Sequence, residues 1–245
     1  MPREENFVAD LTRPWYRRWR SLVLLVVISL VLAVIFWFIS IFMNVWGQVR
    51  SGEINLQSST FTKGQVTDMS TIIDKSDPML GAREAPISIV EFGDFQCPLT
   101  RQSHTIMLNL VKDNPKVLNL YWRNFPVLDD MSLTLAKAAE CAHLQGRFWV
   151  YYTKVFEATD QDWTLDKISA LAAEIGMNSD NFSKCLSDTR TMYKVYQDVE
   201  VASKLELAGT PTFFVNGFRI RGFVPEEGWQ EILKKVIEYV NQPKQ

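Results

Sequence analysis

The sequence holds two histidines and three cysteines, and neither set falls at metal-ligand spacing, so no zinc centre is expected. It has no glycine-rich phosphate loop, no dinucleotide fingerprint and no Ser-His-Asp set, so nucleotide chemistry and triad hydrolysis are excluded and no cofactor is expected. No internal repeat or long low-complexity tract appears. Excess positive charge is also missing: the net charge is −2, which argues against nucleic acid as a partner.

Charge is wholly absent from Ser21 to Val49, where the sequence reads LVLLVVISLVLAVIFWFISIFM through its centre. About 20 such residues cross a hydrocarbon core at 1.5 Å rise per residue. The alternative is a cleaved signal peptide, which needs a shorter apolar region and a small-residue cleavage site; Phe42-Met43-Asn44-Val45-Trp46 offers none. Residues 21–46 are therefore read as a single membrane-spanning helix with lipid as its partner. Trp15, Tyr16 and Trp19 on one side and Trp46 on the other suit the two interfaces. Arg13, Arg17, Arg18 and Arg20 precede the span, and only Arg50 and Lys63 follow closely, which places residues 1–20 in the cytoplasm and the C-terminal part outside the cell membrane. The first 50 residues carry a net +3, leaving −5 for the outer part.

Residues 47–77 are polar and rich in Ser, Thr and Gly, and read as an extracytoplasmic linker with a short strand at Thr71-Ile72-Ile73. A folded domain over 78–245 follows. Ile87 to Phe92 is β-branched and bounded by Pro86 and Gly93, so it is a strand; a helix from Pro98 to about Asp113 comes next, with proline in its first turn. Val117 to Arg123 makes a second strand. A helical insertion over about 126–207 includes a helix ending before Gly146, one capped by Thr164 and stopped by Gly176, one capped by Ser179, and one from about Thr189 to Leu207. The run TPTFFVNGFRIRGF gives a hairpin turning at Asn216-Gly217, and Pro225, Glu226 and Glu227 open a last helix with Ile232, Leu233, Val236, Ile237 and Val240 at helical spacing. Phe148-Trp149 and Phe213-Phe214 read as core. The outline is an α/β fold with helices on a mixed sheet.

Within it, VEFGDFQCPLT places Cys97 at the end of a strand and turn and at the start of a helix. Free N–H groups and the positive end of a helix dipole stabilise a thiolate there. The bland reading is a buried structural cysteine, a small hydrophobe. In an oxidising compartment, three cysteines suggest one bridge and one free thiol.

Four motifs carry a resemblance. DPMLGAREAPISIVEFGDFQCP, AAECAHLQGRFWVYYTKVF, FSKCLSD and GTPTFFVNG occur in the order found in the DsbA-like branch of the thioredoxin superfamily, in its membrane-anchored bacterial form, and cover some two thirds of the chain. The resemblance implies a thioredoxin-like fold with a helical insertion and thiol–disulfide oxidoreductase activity on protein thiols and disulfides outside the cytoplasm. It departs at the site: the family usually has Cys-Pro-x-Cys, and here the four residues are Cys97, Pro98, Leu99 and Thr100. Thr100 stands where the resolving cysteine would be; it cannot resolve a mixed disulfide, and either its hydroxyl bonds the Cys97 thiolate or it is an inert replacement in a drifted site. Thr210-Pro211 resembles the family's cis-proline loop, which pairs with an extended substrate, so Thr210, Pro98 and Leu99 are expected to bind substrate beside catalytic Cys97, Thr100 and Pro211. Cys141 and Cys185 fall where some members hold a second disulfide; two buried free thiols are the alternative. Glu91 matches an acid sometimes buried beneath the site, but is read as a strand carboxylate facing water. Asp94 reads as a turn residue and His104 as a solvated helix histidine.

Three functions compete. One is monothiol exchange through Cys97, as isomerase or reductase, resolved by the substrate or by a membrane or small-molecule thiol reductant. Another is a redox-inactive peptide-binding or chaperone module. The third is a glutathione-using isomerase or transferase, for which no pocket is visible in the sequence.

Overall fold

The computed structural model describes residues 15–50 and 67–240. Residues 1–14, with Arg13, and linker residues 51–66 lie outside the described residues, as do the side chains of Trp15, Tyr16, Trp19 and Trp46. The chain divides into two compact units, 1–58 and 59–245.

The first unit contains helix α1, Trp15–Arg50. Its segment Val23–Ser40 is long and apolar enough to cross a membrane and buries no part of itself against protein. The helix runs past both ends of the apolar stretch, because neither flank holds a proline or glycine before Gly47 to stop it.

The second unit is built on a five-stranded mixed sheet in the order β1-β3-β2-β4-β5. The strands are β1 (Met79–Gly81), β2 (Ile87–Gly93), β3 (Leu118–Asn124), β4 (Thr212–Val215) and β5 (Phe218–Arg221). Only β2 and β3 run parallel. Their crossover is α2 (Pro98–Asp113), and five helices separate β3 from β4: α3 (Asp130–Leu144), α4 (Phe148–Glu157), α5 (Leu165–Glu174), α6 (Ser179–Ser187) and α7 (Thr189–Lys204). Helix α8 (Glu226–Val240) closes the fold. This is a thioredoxin-like fold with a helical insertion.

Strand period sorts the core onto two faces. Ile87 and Ile89 of β2, Leu118 and Leu120 of β3 and Phe213 of β4 pack with Met107 of α2 and Trp229, Ile232 and Val236 of α8. Val90, Phe92 and Phe214 point the other way, toward Ala202 of α7 and Ile72. The insertion has its own core, in which Phe95 and Trp122 meet Tyr151, Tyr152 and Phe156 of α4. Asn216 and Gly217 both take positive φ, 46° and 89°, as a two-residue hairpin turn requires, and the Asn216 carboxamide accepts from Ser88 N and donates to Pro86 O.

Three local expectations change. Thr71-Ile72-Ile73 is not a strand: Met69–Thr71 form a short 3-10 turn capped by Asp68, and Ile72 is fully buried. Residues 67–77 therefore pack on the domain rather than tether it, beginning with Thr67 N–H donating to Gly217 O at 3.0 Å. Helix α6 is capped by Asn178, not Ser179; the shorter carboxamide reach from one residue earlier meets Asn181 N–H at 2.8 Å.

Candidate active site

The turn after β2 delivers a cysteine to the start of a helix. Cys97 N–H donates to Asp94 O, Arg101 N–H returns to Cys97 O at 2.9 Å, and Pro98 occupies the first helical position, where its missing N–H costs nothing. Cys97 is the N-cap of α2 and is 7% exposed. Its Sγ lies 3.3 Å from Thr210 O, to which the thiol donates. The Thr210-Pro211 bond is cis, and Thr212 Oγ1 ties the loop to Gly209 O. Residues 113 positions apart are thus brought together at the C-terminal end of β2. Pro98 and Leu99 are exposed beside the sulfur.

Thr100 lies one turn further along α2 and is fully buried. The expected bond from its hydroxyl to the thiol is absent. The sulfur bonds Thr210 O instead, and Thr100 Oγ1 has no hydrogen-bond partner among the described residues. The space around it is tight: a Cβ at Gly93 would come within 2.2 Å of the Trp122 ring and 3.0 Å of Thr100 Cγ2, so only glycine fits there.

Glu91 does not face water. It lies on the α2 side of β2, a strand flanked by β3 and β4 and covered on both faces, and is fully buried. Tyr152 OH donates to its Oε2 at 3.1 Å, and its Oε1 has no partner among the described residues. Burial pushes its carboxyl up to about 8, against the bond from Tyr152. Tyr152 in turn is raised well above the ordinary phenol range, by burial and by Glu91. His104 is buried too: its ring stacks on Phe156 and Nδ1 donates to Arg101 O at 2.6 Å, because α4 packs over that face of α2. Arg101 fixes this packing by donating to Phe156 O at 2.7 Å and to Ala158 O.

Asp94 serves the turn and more. Its Oδ1 accepts from Gln96 N–H, and its Oδ2 accepts from Val127 N–H and Leu128 N–H. The loop after β3 is thereby held against the cysteine turn, with Leu99, Val127 and Leu128 exposed as an apolar rim. Sequence reasoning missed Val127, Leu128 and Tyr152; the aromatic run FWVYYTKVF was the available signal for the last.

Cys141 and Cys185 lie on α3 and α6 with their sulfurs bonded, S–S 2.03 Å and Cα–Cα 5.8 Å. Cys97 is the free cysteine. No group of three His, Cys, Asp or Glu side chains that could hold a metal ion occurs among the described residues.

A lone thiol at a helix N-terminus beside a cis-proline loop, on a thioredoxin-like sheet, defines a DsbA-like thiol–disulfide oxidoreductase-like domain. Residues 74–235 match the family model described as Thioredoxin, and the chain belongs to that family. It is 33% identical over 150 residues to the "Probable disulfide bond formation protein D" of Bacillus cereus, a match covering 56% of this chain and 69% of that protein. It is also 34% identical over 160 residues to the "Na(+)/H(+) antiporter NhaA 3" of Salinispora tropica, but spans only 24% of that protein's length. Two solved structures share the fold. A thioredoxin-like oxidoreductase from Silicibacter pomeroyi superposes with TM-score 0.65 at 24% identity, covering 70% of this chain and 99% of that one. BdbD from Bacillus subtilis in its oxidised form gives 0.62 at 24%, covering 71% and 97%.

Proposed function

We propose that the protein is a membrane-anchored extracytoplasmic oxidoreductase that exchanges disulfides through the single thiol of Cys97. The observation that carries this reading is the pairing of Cys97 Sγ with Thr210 O while a buried threonine fills the resolving position. In the reaction the Cys97 thiolate attacks one sulfur of a substrate disulfide. That S–S bond breaks, a mixed disulfide forms, and the second substrate sulfur leaves as a thiolate. Release then comes from a second substrate cysteine, which gives isomerisation, or from two equivalents of an external thiol, which end as their own disulfide, supply the two electrons and give reduction. Net oxidation is disfavoured because the chain has no second thiol at the site to store a disulfide.

Extended substrate pairs with the backbone at Thr210 beside Pro211, and apolar residues flanking its cysteine lie on Leu99, Val127 and Leu128. Glu91, with one oxygen unpartnered, is the buried group that takes up and returns the thiol proton. The name of the Bacillus cereus relative supports protein disulfides as the substrate class. Residues 21–46 anchor the chain in the cell membrane, residues 1–20 lie in the cytoplasm, and residues 78–245 work outside, where an oxidising milieu suits the Cys141–Cys185 disulfide.

The experiment is capture of mixed disulfides on full-length protein in native membranes, by acid quenching and alkylation. Adducts should appear on the wild type, disappear with added thiol, and be absent in Cys97→Ser. If Cys97→Ser keeps all binding partners, the apolar rim makes this a peptide-binding module instead. Protease added to intact spheroplasts should digest the domain; protection would reverse the orientation.

A further inference from the structure

Where α3 faces the α6–α7 junction there is an open cavity of about 600 Å³. It shares no lining residue with the Cys97 site. On its α3 wall stand Glu140 and His143, three residues apart and so on one helix face. Glu140 is 5% exposed; its Oε1 accepts from Asn124 Nδ2 at 2.6 Å, and Oε2 has no hydrogen-bond partner among the described residues. His143 Nε2 donates to Ser76 O at 2.8 Å, and burial lowers its pKa, so the ring is neutral and Nδ1 is left as an open acceptor. Two acceptors therefore line one wall, and the Lys194 ammonium, held by Asp77 and Asp198, is near enough to act on the charge of both.

The cations on the cavity wall are mostly committed. Arg190 pairs with Asp188 at 2.7 Å, and Lys194 with Asp77 and Asp198 at 2.9 and 2.8 Å. Lys184, exposed at the mouth, has no ion-pair partner among the described residues. Leu144, also exposed, and Cys185 supply apolar surface. A simple anion would meet the Glu140 carboxylate, and a simple cation would leave Lys184 unmatched. A ligand that carries both charges satisfies every open group.

We propose that this cavity binds a free α-amino acid with an apolar side chain. Its ammonium group donates to Glu140 Oε2 and His143 Nδ1, its carboxylate meets Lys184, and its side chain lies on Leu144 and Cys185. Burial pushes Glu140 up to about 7, with Asp198 and Asp77 adding to the rise and Lys194 and the Asn124 bond opposing it. An arriving ammonium favours the ionised carboxylate, so binding releases protons near neutrality and weakens in acid.

The test is isothermal titration of the full-length chain in detergent micelles with L-leucine, 3-methylbutylamine and 4-methylpentanoate. Leucine should bind saturably and more tightly at about pH 8 than at about pH 6. The amine and the acid, each lacking one charge, should bind about tenfold more weakly. Glu140→Gln, which keeps the bond to Asn124, should cost about tenfold in leucine affinity. Lys184→Ala, at an exposed position that leaves folding intact, should weaken leucine more than the amine. Absence of saturable binding up to about 10 mM leucine, or equal leucine affinity in both variants and wild type, overturns the proposal.

Discussion

Two buried polar regions hang from the central strands, and they are built on opposite plans. On the face of β3 toward α7, Arg123 pairs with Asp198 at 2.9 Å and Asp77 at 3.3 Å, and Lys194 bonds both acids. Asn124 adds its N–H and side chain to Asp198. Two cations there meet two anions, and the Ile72 carbonyl and Asn124 add hydrogen bonds. On the α2 face, under Cys97, Glu91 has a single bond from Tyr152, and among the described residues no cation pairs with it and one of its oxygens and the Thr100 hydroxyl have no partner. A charge-paired network fixes geometry, since each member would be left charged and unpaired if another moved. An undersaturated pocket keeps a carboxyl neutral to about pH 8 and ready to exchange a proton. The first is a paired structural cluster, the second a pocket that leaves a buried carboxyl without a counter-charge, and they lie on opposite faces of one sheet.

The comparison breaks most visibly if the charge-paired side is damaged. Arg123→Met strands Asp77 and Asp198 with only Lys194, and should lower stability by about 3–5 kcal/mol in urea denaturation followed by circular dichroism. A loss below about 1 kcal/mol would mean that the cluster is not a packed unit. Next in size is Thr100→Cys. A resolving thiol one helical turn from Cys97 should shorten the mixed-disulfide lifetime at least about a hundredfold at millimolar external thiol, read by quenched-flow alkylation. An unchanged lifetime would mean that the buried position, walled by Trp122, keeps the new thiol from the adduct.

Glu91 supplies a smaller effect with a distinct signature. Folded Glu91 holds its proton to about 8, while an ordinary glutamate releases it at 4.5. The folded state therefore binds more protons between those values, and stability falls as pH rises through that window. Glu91→Gln should remove Glu91's share of this fall, about 1 kcal/mol between pH 7 and 8. A wild-type profile flat over that last interval would place the Glu91 carboxyl in the ordinary range. The smallest change expected is at the solvated pair Lys154–Glu174: Lys154→Ala should leave the urea midpoint unmoved, showing that the loss in Arg123→Met comes from burial and not from charge alone.

Much of this was readable in the chain. Cys97 before a helix-starting proline, Thr210-Pro211 before a strand and Asn216-Gly217 within a hairpin are local signals, each set by a few neighbouring residues. What the sequence hid depends on distant partners. Glu91 has its bond from Tyr152, 61 residues away, and no local pattern distinguishes it from a strand carboxylate facing water. Ile72 stands in a polar stretch and is buried only because α7 returns over the sheet. His104 is covered by α4 in the same way. Strand β1, three residues long, is too short for alternation to register, and is defined by its pairing with β3.

Asp94 joins two functions that are often separate. One of its oxygens braces the turn that carries Cys97, and the other holds the backbone of the loop that presents Val127 and Leu128. The carboxylate is thus a linkage between the surface a polypeptide would press on and the residue that would attack it. Load on the rim is carried into the turn through one short side chain, with no flexible segment between to absorb it. Lengthening that side chain by one methylene, Asp94→Glu, would shift docking surface and sulfur against each other while leaving every other contact residue unchanged.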